Sequence, residues 1–175
     1  RMRSPLSRRS ALVGGSVLAT SSLQLPLLAA IAASSDAPAI ALSDGTSMPA
    51  IGYGTCCRAS AKGPPLIKST LEYLAQGGRL IDTAQMYGNE AELGEAIKAS
   101  AAPRSSLWIT DKVNTGPPEY SRYGDGPITS RATTVASVKA SLSALGTDYI
   151  DLMHIHGTWN VDADQQIDVW RGLID

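Results

Sequence analysis

The chain of 175 residues contains no phenylalanine, two histidines and two cysteines. The cysteines, Cys56 and Cys57, are adjacent. They form neither a disulfide framework nor a zinc signature, since both need spaced pairs, and we predict no metal site. The chain has fifteen basic and sixteen acidic side chains, so it has no net positive charge with which to bind nucleic acid. The 43% hydrophobic and 18% charged content excludes a collagen, a coiled coil and a wholly disordered chain.

Acidic residues are missing from the first 35 positions, where arginines precede a long uncharged run. The adjacent pair Arg8 and Arg9 resembles a twin-arginine export signal. Serine-rich and arginine-rich composition without acids is also typical of an organelle transit segment. We therefore predict that residues 1–35 are a removable signal that directs the protein to a plastid, with bacterial export as the alternative. Gly14, Gly15 and Pro26 interrupt the apolar run, so we expect no stable membrane span after processing.

Residues 36–175 alternate between strand and helix patterns after a hairpin. The hairpin signal is Asp44-Gly45 between short apolar runs. Four strands are then predicted, at 51–55, 80–81, 107–109 and 149–155. Each is followed by an amphipathic helix, and the apolar stripes are Ile67, Leu71 and Leu74; Leu93 and Ile97; Val135, Val138, Leu142 and Leu145; Ile167, Trp170 and Ile174.

This alternation predicts an α/β fold with a parallel sheet, either an open doubly wound sheet or a closed barrel. Gly52-Tyr53-Gly54 lacks the third glycine of a dinucleotide-binding Rossmann turn, which favours a parallel (β/α)8 TIM barrel. Eight units need about 250 residues, so only about the first four βα units are present. We expect residues 36–175 to be the N-terminal half of the domain, a fragment that is inactive alone.

Three of the predicted strands end in an ionisable side chain, at Asp82, Lys112 and His156. The carboxyl ends of barrel strands open on one face, so these residues are predicted to converge, together with Tyr87 from the following loop. An ammonium beside a phenol lowers the phenol pKa, and Asp82 can hold Lys112 charged. The set suits a general acid that protonates a carbonyl oxygen while hydride reaches the carbon.

Other interpretations of these residues stay open. Each side chain taken singly is compatible with an ordinary structural role, and Lys112 could instead serve a Schiff-base isomerase or lyase. His154 shares the strand parity of His156, and we expect it to be buried in the core rather than catalytic.

The segment from Gly77-Gly78 through Asp82-Thr83-Ala84-Gln85-Met86-Tyr87-Gly88-Asn89-Glu90 resembles the signature of the aldo-keto reductases. Leu107-Trp108-Ile109-Thr110-Asp111-Lys112-Val113 is similar to the lysine-bearing strand of that family, and Asp148 to His156 to its histidine strand. The resemblance implies reduction of a small-molecule aldehyde or ketone by NADPH. It implies Tyr87 as proton donor, Lys112 and Asp82 as residues that tune it, and His156 as the group that orients the carbonyl.

The resemblance also implies a cofactor site in the first βα loop. Gly54, Thr55 and Cys56 fall where the family meets the nicotinamide end of NADPH, and Asp82 falls where it contacts the ribose. Some relatives serve as regulatory subunits, so a redox-sensing protein that binds NADPH with little turnover is the alternative. Cys56, Cys57 and Asn114 depart from the usual residues of the substrate pocket. The sequence leaves the substrate and the oligomeric state open.

Overall fold

The computed structural model describes residues 38–58, 60–116, 128–159 and 161–175. The predicted targeting segment, 1–35, lies outside the described residues. Within the described part, a two-stranded antiparallel hairpin precedes a four-stranded parallel sheet whose strands alternate with helices.

The hairpin consists of β1, Ala39–Ala41, and β2, Ser47–Pro49. Ile40 pairs with Met48 at its centre. Gly45 has a φ of 86°, which a glycine adopts without steric cost, and this explains why the turn forms here. The Asp44 carboxylate accepts bonds from the backbone N–H and the hydroxyl of Thr46, at 2.9 and 2.7 Å. The predicted hairpin is confirmed.

The parallel sheet contains β3, Gly52–Gly54; β4, Leu80–Asp82; β5, Trp108–Val113; and β6, Leu152–Ile155. Its spatial order is β3-β4-β5-β6, so every strand pairs with its neighbour in sequence. A doubly wound sheet reverses its strand order at a switch point, whereas a barrel keeps the sequential order. The order therefore identifies the first four strands of a (β/α)8 barrel, as the sequence predicted.

In the described part of the chain, four helices connect or follow these strands: α1, Gly63–Ala75; α2, Glu90–Ala99; α3, Arg131–Leu145; and α4, Ala163–Ile174. Pro64 and Pro65 occupy the first turn of α1, where a missing N–H costs nothing. Ser130 and Asp162 begin α3 and α4 with capping boxes, and Gly146 ends α3 in the left-handed conformation. Two single 3₁₀ turns lie at Gln85–Tyr87 and Arg104–Ser106.

The buried faces of α3 and α4 differ from the predicted apolar stripes. Helix α3 buries Thr134, Ser137, Ser141 and Leu145, and of these Leu145 alone belongs to the predicted stripe. Small side chains let its neighbours approach closely: a Cβ on Gly94 of α2 would lie 2.7 Å from the Leu145 carbonyl oxygen. In α4 the predicted apolar residues are exposed, Trp170 by 55%, while Val169 and Gly172 are buried. Packing distance, rather than hydrophobic periodicity, selects the inward face of both helices.

The main core lies between the sheet and helices α1 to α3. It consists of Leu74, Ile81, Leu93, Leu107, Ile109 and Leu145. A second cluster joins the carboxyl end of β5 to α4 and contains Val113, Ile128 and Val169. No helix in the described part of the chain is long and apolar enough to cross a bilayer. These two clusters hold β4 and β5 side by side, so the polar residues at the carboxyl ends of the two strands lie close together.

Candidate active site

The four predicted catalytic residues lie together at the carboxyl edge of the parallel sheet. Asp82 is the last residue of β4, Lys112 lies near the end of β5, and His156 directly follows β6. Tyr87 closes the 3₁₀ turn that leaves β4. Parallel pairing of β4 with β5 and of β5 with β6 brings these ends to one edge, although up to 74 positions separate them in sequence.

The ion pair between Lys112 and Asp82 is the centre of this site. Lys112 Nζ donates to Asp82 Oδ1 at 2.7 Å and to the backbone oxygen of Thr83 at 2.8 Å. The hydroxyl of Thr110 donates to the same Asp82 oxygen at 2.6 Å. The lysine side chain is 17% exposed and that of the aspartate 41%. A largely buried ammonium is thus held in one position, with its charge compensated.

Tyr87 and His156 face each other beside that ion pair. Their rings meet edge to face, with centroids 5.5 Å apart. Lys112 Nζ lies 5.3 Å from the centroid of the Tyr87 ring. The Trp159 ring lies 5.5 Å from that of His156 and forms its other neighbour. A phenol, an imidazole and an ammonium therefore share one opening.

The surroundings of His156 favour the neutral form of its imidazole. Burial lowers the pKa of its imidazole, and the ammonium of Lys112 lowers it further, while Asp82 acts in the opposite direction. Its Nδ1 is buried, and no described residue forms a hydrogen bond with it. A buried N–H without an acceptor is costly, so we expect the single proton of this imidazole on Nε2.

The first βα loop, predicted to meet the cofactor, is anchored to the site by its backbone. The N–H and the hydroxyl of Thr55 both donate to the Asp82 carbonyl oxygen, at 3.0 Å each. Thr55 is buried, so its side chain serves this anchor, whereas Gly54 is exposed and Cys56 half-buried. A Cβ on Gly54 would meet nothing within 4 Å, so open space lies above that backbone. Cys56 and Cys57 place two sulfur atoms next to each other in this loop.

Asn89 is a structural residue of the site, and its side chain does not cap the helix that it precedes. It precedes α2, but its side chain makes no cap bond. Its amide donates to the carbonyl oxygens of Thr55 and Ala61 at 2.9 Å each, and its oxygen accepts from the Thr83 hydroxyl at 3.0 Å. Asn89 therefore holds the first loop against the segment that carries Asp82 and Tyr87.

Two further positions change the interpretation from sequence. Thr110 was missed as a partner of Asp82, although its place two residues before Lys112 puts it on the same face of β5. The prediction that His154 is buried is wrong. It pairs in register with Lys112 but is exposed, because β6 is the last strand of the described sheet and nothing described covers that face.

The chain is similar to proteins of one known family. The model of the Aldo/keto reductase family matches residues 50–174. An aldo-keto reductase of Mycobacterium marinum is 41% identical over 144 residues, which cover 82% of this chain and 46% of that protein. A Mycobacterium leprae aldo-keto reductase is 37% identical over 138 residues, or 78% and 43%. The chain thus spans less than half the length of these relatives.

Solved structures show the same likeness. An aldo/keto reductase of Brucella melitensis has a TM-score of 0.63 and 30% identity, covering 79% of this chain and 48% of that one. An aldo-keto reductase of Bombyx mori in complex with NADP has a TM-score of 0.61 and 26% identity, covering 79% and 46%. The family model, the relatives and the barrel order of the strands agree. This chain belongs to the aldo/keto reductase family.

Proposed function

We propose that the protein reduces aldehydes or ketones to alcohols with NADPH, with Tyr87 as the proton donor. The observation that carries the proposal is the convergence of Asp82, Tyr87, Lys112 and His156 at one edge of the sheet. Family membership and an NADP-bound structural neighbour support the choice of cofactor.

The described residues divide the chemistry between them. NADPH, when bound, supplies the hydride. Tyr87 donates the proton to the carbonyl oxygen, and the Lys112 ammonium beside its ring stabilises the phenolate that remains. His156, neutral and protonated on Nε2, donates a hydrogen bond that orients the same oxygen. Asp82 fixes the lysine in place.

The residues present fit the nicotinamide end of such a cofactor. Asp82 uses Oδ1 for Lys112 and Thr110, and among described residues no hydrogen bond ends on its Oδ2. A partly exposed carboxylate oxygen is a suitable acceptor for a ribose hydroxyl. The open space above Gly54 admits a flat ring close to the backbone, and Cys56 lies two residues after Gly54 in the same loop. Thr55 would contribute by holding this loop rather than by side-chain contact.

The decisive experiment uses the complete encoded chain and compares Tyr87→Phe with wild type. NADPH oxidation in the presence of 4-nitrobenzaldehyde is followed by absorbance. Loss of the phenolic proton should lower kcat by about 10²- to 10⁴-fold, the usual contribution of a general acid. Tyr149→Phe is the matched control, because Tyr149 is exposed and lies before β6, away from the site. Equal loss of activity in both variants, or none in Tyr87→Phe, would contradict the proposal.

A redox-sensing subunit is the second candidate, favoured by the adjacent cysteines Cys56 and Cys57 in the first βα loop. It predicts tight NADPH binding, negligible turnover of the aldehyde, and an affinity that changes when a dithiol reductant is added. Cys57→Ser should abolish that change. Turnover that is independent of the thiol state would eliminate this candidate.

A further inference from the structure

The loop after β6 brings a tryptophan to the candidate active site. His156 directly follows β6, and Trp159 comes three residues later. The imidazole and indole rings are tilted by 55° to each other, with centroids 5.5 Å apart. The ring of Tyr87 lies at the same distance from the imidazole. The group that orients the carbonyl therefore has the proton donor as one aromatic neighbour and an indole as another.

Glycine backbone makes room for this indole. A Cβ on Gly157 would lie 2.9 Å from three atoms of the Trp159 ring, which is closer than two carbon atoms pack. A Cβ on Gly116, in the loop after β5, would lie 3.5 Å from the same ring. The absence of a side chain at 157 thus lets the ring rest directly on the main chain.

The main chain under the indole is anchored to the end of β5. The N–H of His156 donates to the carbonyl oxygen of Val113 at 3.1 Å. The hydroxyl of Thr115, a buried residue, donates to the carbonyl oxygen of Gly157. These two bonds fix the first half of the loop, so the indole of Trp159 is held beside the imidazole.

The indole keeps much of its surface open to a ligand. Although the ring rests on glycine backbone, 48% of Trp159 is exposed. Aromatic side chains are typical linings of small-molecule sites, because they offer a large apolar area. Aromatic rings also attract each other at centroid separations of about 4.5–7 Å. Trp159 therefore offers a flat stacking surface at the edge of the site.

We infer that Trp159 is a specificity-determining residue, and that the substrates are aldehydes or ketones with an aromatic ring on the carbonyl carbon. The indole stacks on that ring. This inference rests on the proposed function, in which Tyr87 and His156 hold the carbonyl oxygen.

The preference for an aromatic group follows from the position of the indole. With the carbonyl oxygen bound to His156, the group on the carbonyl carbon lies beside the same imidazole, and Trp159 is 5.5 Å from it. An aromatic ring there can stack on the indole, whereas a short alkyl chain covers little of it. The contact involves a part of the substrate that does not react, so it stabilises ground state and transition state alike. Its loss should therefore raise KM and leave kcat unchanged.

The first experiment measures steady-state kinetics of the complete encoded chain with NADPH, comparing 4-nitrobenzaldehyde with propanal. Trp159→Ala should raise KM for the aromatic aldehyde about tenfold, with kcat unchanged and the propanal parameters as in wild type. Trp159→Phe retains a ring and should retain most of the preference. An equal loss for both aldehydes would indicate a structural role and overturn the inference, as would an unchanged ratio of the two kcat/KM values.

Two matched controls separate the indole from its surroundings. Trp170→Ala removes another exposed tryptophan, which lies on α4. Thr158→Ala changes the exposed neighbour of Trp159 within the same loop. Both variants should keep the wild-type preference. A change in Thr158→Ala as large as that in Trp159→Ala would assign the effect to the loop and overturn the role of the indole.

The second experiment measures ligand binding without turnover. Calorimetry follows binding of 4-nitrobenzyl alcohol, the alcohol product, to the chain saturated with NADPH. Its Kd should rise about tenfold in Trp159→Ala and stay unchanged in Trp170→Ala. An equal Kd in wild type and Trp159→Ala, or no binding to the wild type, would overturn the contact.

The two experiments fail in distinguishable ways. A wild type that reduces neither aldehyde would refute the proposed function, while calorimetry would still decide whether Trp159 contacts an aromatic ring. If Trp159→Ala does not fold, Trp159→Leu replaces it in both experiments, because leucine keeps an apolar side chain and removes the ring.

Discussion

Replacing Asn89 by aspartate, an isosteric change, should destabilise the protein. The wild-type amide donates to the carbonyl oxygens of Thr55 and Ala61, and the residue is 1% exposed. Aspartate has the same shape but no N–H donor, so both carbonyls lose a partner and face a carboxylate. At about 1–3 kcal/mol for each unsatisfied buried group, the free energy of unfolding should fall by at least about 2 kcal/mol.

Urea unfolding of the complete chain measures this loss. With a slope of about 1–3 kcal/mol per molar urea, the midpoint should decrease by about 1 M. The new carboxyl faces acceptors, so its folded pKa is raised and the deficit should shrink as pH falls toward the usual Asp value of about 4. Thr83→Val is the matched control, since it removes only the bond that Asn89 accepts and should cost about 1 kcal/mol. A midpoint equal to wild type, or a deficit independent of pH, would refute the reasoning.

Three further predictions concern other parts of the chain. Arg104→Ala should lower the free energy of unfolding by about 3 kcal/mol, because it leaves the partly buried Asp151 without its 2.7 Å ion pair. A loss below about 1 kcal/mol in urea unfolding would show that water replaces this ion pair. His156→Gln should reduce the loss of melting temperature between about pH 7 and about pH 5. The pKa of His156 is lowered in the folded protein, so the unfolded chain binds a proton that the folded protein does not, and glutamine removes this difference. We also propose that residues 1–35 direct a fused fluorescent protein to plastids; diffuse fluorescence, or export in bacteria through the twin-arginine route, would contradict plastid import.

The sequence alone determined the order of elements and the identity of the candidate site residues. Hairpin, strands and helices follow from local signals such as Asp44-Gly45, the prolines that open α1 and the glycine that ends α3. The site could be predicted because strands that end in Asp82 and Lys112 converge in any parallel barrel. These features depend on neighbours in sequence, or on one topological rule.

Only the tertiary structure decided which surfaces are buried and which polar groups meet. Periodicity marks an apolar stripe, but the approach of α2 and α4 selected the small polar face of α3 instead. The side chain of Asn89 does not cap α2 but donates to the carbonyl oxygen of Thr55, which lies 34 positions earlier in the chain. His154 is exposed. Asp111 reads in sequence as a polar residue beside a lysine. Its complete burial arises from packing in three dimensions, because the desolvation of a carboxyl depends on what surrounds it in space.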